Sequence, residues 1–265
     1  MHAFNYHRPS STKDAAALAG KGAEPKLLAG GQSLVQTMKL RLSAPSDLID
    51  LNAIAELKTI KSEGGAVVIG AMARHAEVAA SSEVKKAIPA LAALAGMIGD
   101  RQVRNQGTIG GSLANNDPAA DYPAAVLGLG ATVVTNKRKI AADQFFRGMF
   151  ETALEPGEII TQVSFPSPKR AAYTKFKNPA SRFAIVGVFV ADTGNGVRVA
   201  VTGAGPSVFR QADMEKALSS KFAPESVAGV KVKADGLNSD LHASAEYRAH
   251  LVTVMTKRAV EAALK

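Results

Sequence analysis

Hydrophobic and polar positions along the chain change period often, and each change marks an element. Ser11 or Thr12 is placed to cap a short helix over 14–19, closed by Gly20 or Gly22. After Pro25, the apolar run 26–29 reads as a short buried strand; Gly30-Gly31 breaks it, and Ser33 is placed to cap a helix over 34–40. Pro45 ends that segment, and 47–51 alternates like a strand. The runs 57–61 and 66–70 flank Glu63-Gly64-Gly65 as a hairpin would. From 75 to about 99 the spacing predicts helix, divided in two by Pro89, and 121–127 predicts another. Strands follow at 131–135 and 158–165, the second stopped by Pro166.

Composition shifts at Pro166-Ser167-Pro168-Lys169-Arg170, the expected boundary between a first domain (1–168) and a second (169–265). Beyond it come strands at 171–177, 183–191 and 197–201, with Asp192-Thr193-Gly194-Asn195-Gly196 as a hairpin turn, then helices at 212–218 and 245–264. Leu251, Val254, Met255, Ala259 and Ala262 form an apolar stripe at helical spacing, read as core. Three antiparallel strands followed by helices predict a small α+β domain.

The chain has 265 residues, 46% of them hydrophobic, only 5% aromatic, and no cysteine. It therefore cannot itself ligate an Fe–S cluster through thiolates. The five histidines (His2, His7, His75, His242, His250) show no metal-ligand spacing with carboxylates. No stretch reads as a transmembrane helix or a signal peptide. The net charge is +9, but the basic residues are scattered and lack the aromatic-interleaved runs of nucleic-acid binders. That leaves a solvated surface, an acidic partner or an anionic cofactor.

Two stretches of similar build bear on that choice. Lys26-Leu27-Leu28-Ala29-Gly30-Gly31-Gln32-Ser33-Leu34 and Thr108-Ile109-Gly110-Gly111-Ser112-Leu113-Ala114-Asn115 each place a Gly-Gly pair after apolar residues, with a hydroxyl just beyond. Glycines admit a ligand close to the backbone, and free N–H groups at a strand–glycine–helix junction favour phosphate. Singly each pair reads as a turn; together they suggest one extended anionic ligand held from two sides. Neither is a P-loop or a GxGxxG. The nearest Rossmann-like stretch, Thr202-Gly203-Ala204-Gly205-Pro206-Ser207-Val208, has valine at the third glycine position and a proline in the turn, and reads as structural. Ser33 and Ser112 lack histidine and aspartate partners in any nucleophile pattern.

The ordered set Ala29-Gly30-Gly31-Gln32-Ser33-Leu34, Met38-Lys39-Leu40-Arg41, Leu48-Ile49-Asp50-Leu51, Thr108-Ile109-Gly110-Gly111-Ser112-Leu113-Ala114 and Asp117-Pro118-Ala119-Ala120-Asp121 resembles the FAD-binding medium subunit of molybdenum hydroxylases, the carbon monoxide and xanthine dehydrogenase family. Gly157-Glu158-Ile159-Ile160 and the C-terminal elements extend the resemblance over nearly the whole chain.

The resemblance implies an α+β fold: a two-lobed, PCMH-type (vanillyl-alcohol-oxidase-like) FAD domain, with lobes of about 1–55 and 56–168, and a C-terminal domain with a three-stranded antiparallel sheet. It implies that residues 26–34 line the diphosphate and ribityl region. Thr108, Ile109, Gly110, Gly111 and Ser112 would hold the other side through backbone amides. Asn115 would lie near the flavin, Asp121 near the adenosine end (a helix N-cap is its alternative), Ile98 as an apolar wall, Ile160 as a backbone contact and Lys177 near the cofactor. It further implies a large molybdenum subunit and a small subunit with two [2Fe-2S] clusters in a dimerised heterotrimer, and a cytoplasmic location, with peripheral attachment to the inner membrane face left open. A stand-alone flavin oxidase and a partner protein that has lost FAD are the alternatives. Two departures stand out. Gln32 replaces the histidine usual in carbon monoxide dehydrogenases. Arg182 stands where relatives place an acidic residue, and would raise the flavin potential if it faces inward.

Overall fold

A computed structural model covers residues 1–265. Strand β1 (Asn5–His7), helix α1 (Thr12–Ala19), strand β2 (Pro25–Leu28), helix α2 (Leu34–Lys39) and strand β3 (Asp47–Asp50) build the first lobe, a parallel sheet in the order β1-β3-β2. Ser11 caps α1 as expected, accepting from the Asp14 N–H at 3.1 Å. Ser33 stands at the start of α2 but its hydroxyl caps nothing. Parallel neighbours need a crossover; here β2, α2 and β3 form one, which puts the Gly30-Gly31 turn at the carboxyl end of a strand.

The second lobe starts with the hairpin of β4 (Ile60–Glu63) and β5 (Ala66–Gly70). Helices α3 (His75–Ala80), α4 (Ser82–Ala87) and α5 (Pro89–Gly96) follow, three rather than the two expected. The extra break is at Ser81, whose extended backbone ends α3 and whose hydroxyl accepts the Val84 N–H to start α4. A serine competing for backbone N–H groups ends one helix as readily as it caps the next. Then come α6 (Arg101–Gln106), capped by Asp100, α7 (Ile109–Asn115) and α8 (Tyr122–Leu129). The glycine stretch at 108–112, expected as a loop, is thus the first turn of a helix capped by Thr108. Strands β6 (Thr132–Thr135) and β7 (Lys139–Ala141), the short helix α9 (Ala142–Phe145), the small hairpin β8 (Phe146–Gly148) and β9 (Glu151–Thr152), and strand β10 (Ile160–Pro166) complete the lobe. Its antiparallel sheet runs β4-β5-β10-β6-β7.

The C-terminal domain contains β11 (Arg170–Lys177), β12 (Ala184–Asp192), β13 (Val197–Thr202) and β14 (Phe209–Arg210), then α10 (Ala212–Ser220) and α11 (Ala245–Ala263). The sheet has four antiparallel strands, not three. The fourth is two residues long, too short for an alternation to register in sequence. Every residue of β12 except its last is buried. Val186, Val188 and Val190 pack with α10 and α11, while Phe189 and Ala191 join the core of the second lobe. A strand covered on both faces loses its polar face, and that is why 184–191 reads as a continuous apolar run.

Arg198 and Arg210 pair with the half-exposed Asp143 across this junction, and one further ion pair there is buried. Asp121, at the start of α8, accepts from Lys175 Nζ at 2.9 Å and Tyr173 Oη at 2.5 Å, both on β11. The side chains of Asp121 and Lys175 are only 3% and 2% exposed. Burial pushes the Asp121 carboxyl up, opposed by the Lys175 charge and the hydrogen bonds from Tyr173 and Lys175. Lys175→Met should cost about 3–5 kcal/mol, because it strands a buried carboxylate. Adding Asp121→Asn should restore most of the loss. Urea denaturation of both variants measures this, and equal stability of the single and double variants would contradict it.

Candidate cofactor cradle

The turn after β2 presents a row of free donors. The backbone N–H groups of Gly30, Gly31, Gln32, Ser33 and Leu34 donate to no acceptor in the chain. Gly31 adopts φ +72, in the left-handed region, and Ser33 φ −104, ψ −56. Alternating left- and right-handed residues turn successive N–H groups to one side, a concavity that suits anions. The side chains of Lys26, Gln32 and Ser33 likewise make no hydrogen bond in the chain.

The second glycine stretch faces the first. A Cβ on Gly30 would collide with the Gln106 carbonyl and the Gly107 Cα, and one on Gly111 would come within 3.5 Å of the Ala29 Cβ. Four of its five amides, however, are already used, and only the Thr108 N–H has no acceptor in the chain. The Ile109 N–H donates to the Ala73 carbonyl (3.1 Å), Gly110 to Ala71 (2.8 Å), Gly111 to Thr108 Oγ1 (3.1 Å) and Ser112 to the Thr108 carbonyl (3.0 Å). Thr108, Ile109 and Gly110 are buried, so Gly111 and Ser112 are what this stretch turns outward. The second stretch therefore keeps one free donor, the Thr108 N–H, of the amides expected from it. It lies antiparallel to residues 71–75 and spends its other donors on the fold. Gly110 is glycine because a Cβ there would stand 2.7 Å from the Ala71 carbonyl oxygen, a protein contact and not a ligand contact. The unpartnered side chains of Ser112 and Asn115 remain for a ligand.

His75 supports this stretch from beneath. Its N–H donates to the Gly107 carbonyl at 3.0 Å, and its Nε2 lies 2.5 Å from where a Gly107 Cβ would be. Burial, with the nearby Arg104 charge, holds its pKa down to about 4. The ring is therefore neutral, with Nδ1 unpaired and Tyr122 beside it at 5.3 Å between centroids.

Comparison with known proteins gives this cradle a context. A family model described as "FAD binding domain in molybdopterin dehydrogenase" matches residues 2–168, and "CO dehydrogenase flavoprotein C-terminal domain" matches 171–263. The chain belongs to the FAD-binding medium subunits of the molybdenum hydroxylases. The carbon monoxide dehydrogenase medium chain of Hydrogenophaga pseudoflava is 38% identical, over 98% of this chain and 96% of that one. The nicotine 6-hydroxylase medium subunit of Paenarthrobacter nicotinovorans is also 38% identical, over 98% and 97%. A solved structure of the Hydrogenophaga pseudoflava carbon monoxide dehydrogenase superposes with a TM-score of 0.90 over 98% of this chain and 97% of that chain, at 38% identity.

The residues fit the family's cofactor. A diphosphate needs several donors and no metal, and the row at 30–34 supplies five that are free. Of the other residues expected at the site, Leu27 packs into the first-lobe core and Leu28 lies against Gly31. Ile98 sits in a turn whose carbonyls at Met97, Ile98 and Gly99 accept from Lys175, Arg104 and Arg182. Arg182 therefore does reach the Ile98 turn, through a contact of 3.4 Å from an exposed, left-handed residue (φ 63).

Three more residues of the expected set are placed as follows. Asp121 is enclosed by Lys175 and Tyr173, and its side chain does not cap α8. Lys177 is exposed at the end of β11, past an irregularity in register, and Lys175 is the lysine that turns inward. The Ile160 side chain lies in the second-lobe core, leaving only its backbone for contact. Sequence reasoning also missed Asn116. It adopts φ 44 at the end of α7, and its Nδ2 donates to the Gly148 and Glu151 carbonyls at 2.7 and 2.8 Å. Asparagine tolerates that conformation better than most residues, and the Asn115-Asn116 pair before Asp-Pro was the available signal.

Two outcomes follow from this geometry. Gly111→Val should abolish flavin retention, because a β-branched side chain cannot fit between Thr108 Oγ1 and Ala29, while the C-terminal domain stays folded; absorbance near 450 nm reports it. The second concerns acid. The unfolded His75 takes a proton near 6.5, whereas the folded one resists until about 4. Stability is therefore full above pH 6.5 and falls by roughly 3 kcal/mol as the pH drops to 4. His75→Leu should flatten that slope in a pH series of denaturation midpoints; an unchanged slope would contradict it.

Proposed function

We propose that this chain is the FAD-bearing electron-transfer subunit of a molybdenum hydroxylase heterotrimer. A large molybdenum subunit oxidises the substrate, a small subunit with two [2Fe-2S] clusters carries the electrons out, and this chain passes them to an external acceptor. The observation that carries the reading is the row of five unpaired amides at 30–34 beside Gly111 and Ser112, in a chain without cysteine. When bound, FAD exchanges electrons singly or in pairs, which is what a cluster donor and a two-electron acceptor require.

The protein's part is to hold and orient. The amides of residues 30–34 bind the diphosphate, with Lys26 adding positive charge. Gly111 allows close approach from the other lobe, and the Ser112 hydroxyl and Asn115 amide offer polar contacts further along. Similar medium subunits are named for enzymes acting on carbon monoxide and on nicotine. Substrate choice therefore rests with the molybdenum subunit, not with this scaffold. We place the complex in the cytoplasm, as a dimer of heterotrimers.

Purification of the tagged chain from its native cell tests the reading. The expected result is a flavin spectrum with iron and molybdenum in the same fraction. Flavin without either metal would establish a stand-alone oxidase instead, and a colourless protein would mean that FAD has been lost.

A further inference from the structure

The segment Met38-Lys39-Leu40-Arg41 belongs to the motif set that marks the family, yet most of it has no task inside this chain. Met38 is buried, but Leu40 and Leu42 are 70% and 76% exposed. Arg41 adopts φ 60, a left-handed conformation that glycine normally supplies at this place. Hydrogen bonds hold it there. The Arg41 N–H donates to the Met38 carbonyl at 3.1 Å and the Leu42 N–H to Thr37 at 2.9 Å, the paired bonds of a Schellman closure. In such closures the residue after the left-handed one usually packs back on the helix. Leu42 does not. Lys39 and Arg41 are exposed and have no acidic partner.

A strained arginine holding two leucines in water between two unpaired cations has no explanation within the chain. We propose that residues 39–42 form a docking knuckle for the iron–sulfur subunit, taken by an apolar pocket rimmed with carboxylates. Charge supports that occupant: the knuckle is cationic, as is the chain at +9, so an acidic partner is attracted and a second copy repelled. Position supports it too. The knuckle ends α2, whose first turn carries the free amides at 33 and 34, about 9 Å away along six residues of helix. A subunit that feeds electrons to this cofactor has to dock beside the cradle, and this exposed apolar surface lies there. Apolar anchors with a charged rim are the usual anatomy of such contacts.

The inference rests on the electron-transfer reading, and one experiment separates the two. The tagged chain is co-expressed with both partner subunits, as wild type, as Leu40→Ser/Leu42→Ser and as Arg41→Gly. The expected result is that the double variant keeps its flavin spectrum and melting temperature but binds the iron–sulfur subunit at least roughly tenfold more weakly. Arg41→Gly should melt no lower than wild type, since glycine suits the left-handed site, yet dock more weakly and with less dependence on salt. If the wild type binds the iron–sulfur subunit and the double variant binds it equally well, the knuckle is not the docking site. Selective loss of the molybdenum subunit, or of a second copy, overturns the chosen occupant. If even the wild type binds no iron–sulfur subunit, the electron-transfer reading falls and the knuckle with it.

Discussion

The structure depends on three close approaches that leave no room for a side chain on a glycine. Gly30 lies against Gln106 and Gly107, Gly110 against Ala71, and Gly107 against the ring of His75. Interiors are close-packed, and a single added methyl at such a contact forces the chains apart. The Gly30 contact brings the parallel first lobe against the antiparallel second lobe, and the other two fix the second lobe's side of that meeting. The free amides at 30–34 then face Gly111 and Ser112 across a narrow space. The cradle is a consequence of how the lobes meet.

That origin divides the labour between two glycine stretches that look alike. One follows a parallel strand that ends at the turn, so its N–H groups have no neighbouring strand to pair with and stay free for a ligand. The other spends Ile109 and Gly110 on residues 71–73 and Gly111 and Ser112 on its own Thr108 cap, and keeps only the Thr108 N–H free. Buried amides are satisfied almost without exception, and the second stretch is buried where the first is not. The cradle therefore has one side that donates and one side that shapes.

The C-terminal domain is held to this arrangement by a sheet with no solvent-facing side along β12 and by the enclosed pair of Asp121 and Lys175. Lys175 also donates to the Met97 carbonyl at 2.9 Å, so β11, α8 and the turn after α5 meet at one ammonium group. Arg104 and Arg182 reach the next carbonyls of that turn. Three cations at the end of one helix complement its dipole, and two of them, Lys175 and Arg182, tie the C-terminal domain to the edge of the FAD domain.

Sequence alone determined the longer strands and helices in order, the α+β class and the two glycine stretches as a pair, because strand and helix periods, caps and glycine pairs are local signals; it missed short elements such as β1, α6 and β14 and the helix begun by Thr108. Through its motifs it also pointed to the family. It could not tell which glycines serve the ligand and which serve the fold, since Gly30-Gly31 and Gly110-Gly111 differ only in what lies opposite. Nor could it show which of Lys175 and Lys177, two residues apart on one strand, is buried, because burial is fixed by a packing partner more than fifty residues away. Asp121 was legible as a special carboxylate but not as an internal one. Local pattern fixes what a segment can form. The long-range contacts at Ala71, Gln106 and Lys175 decide which of its groups remain free.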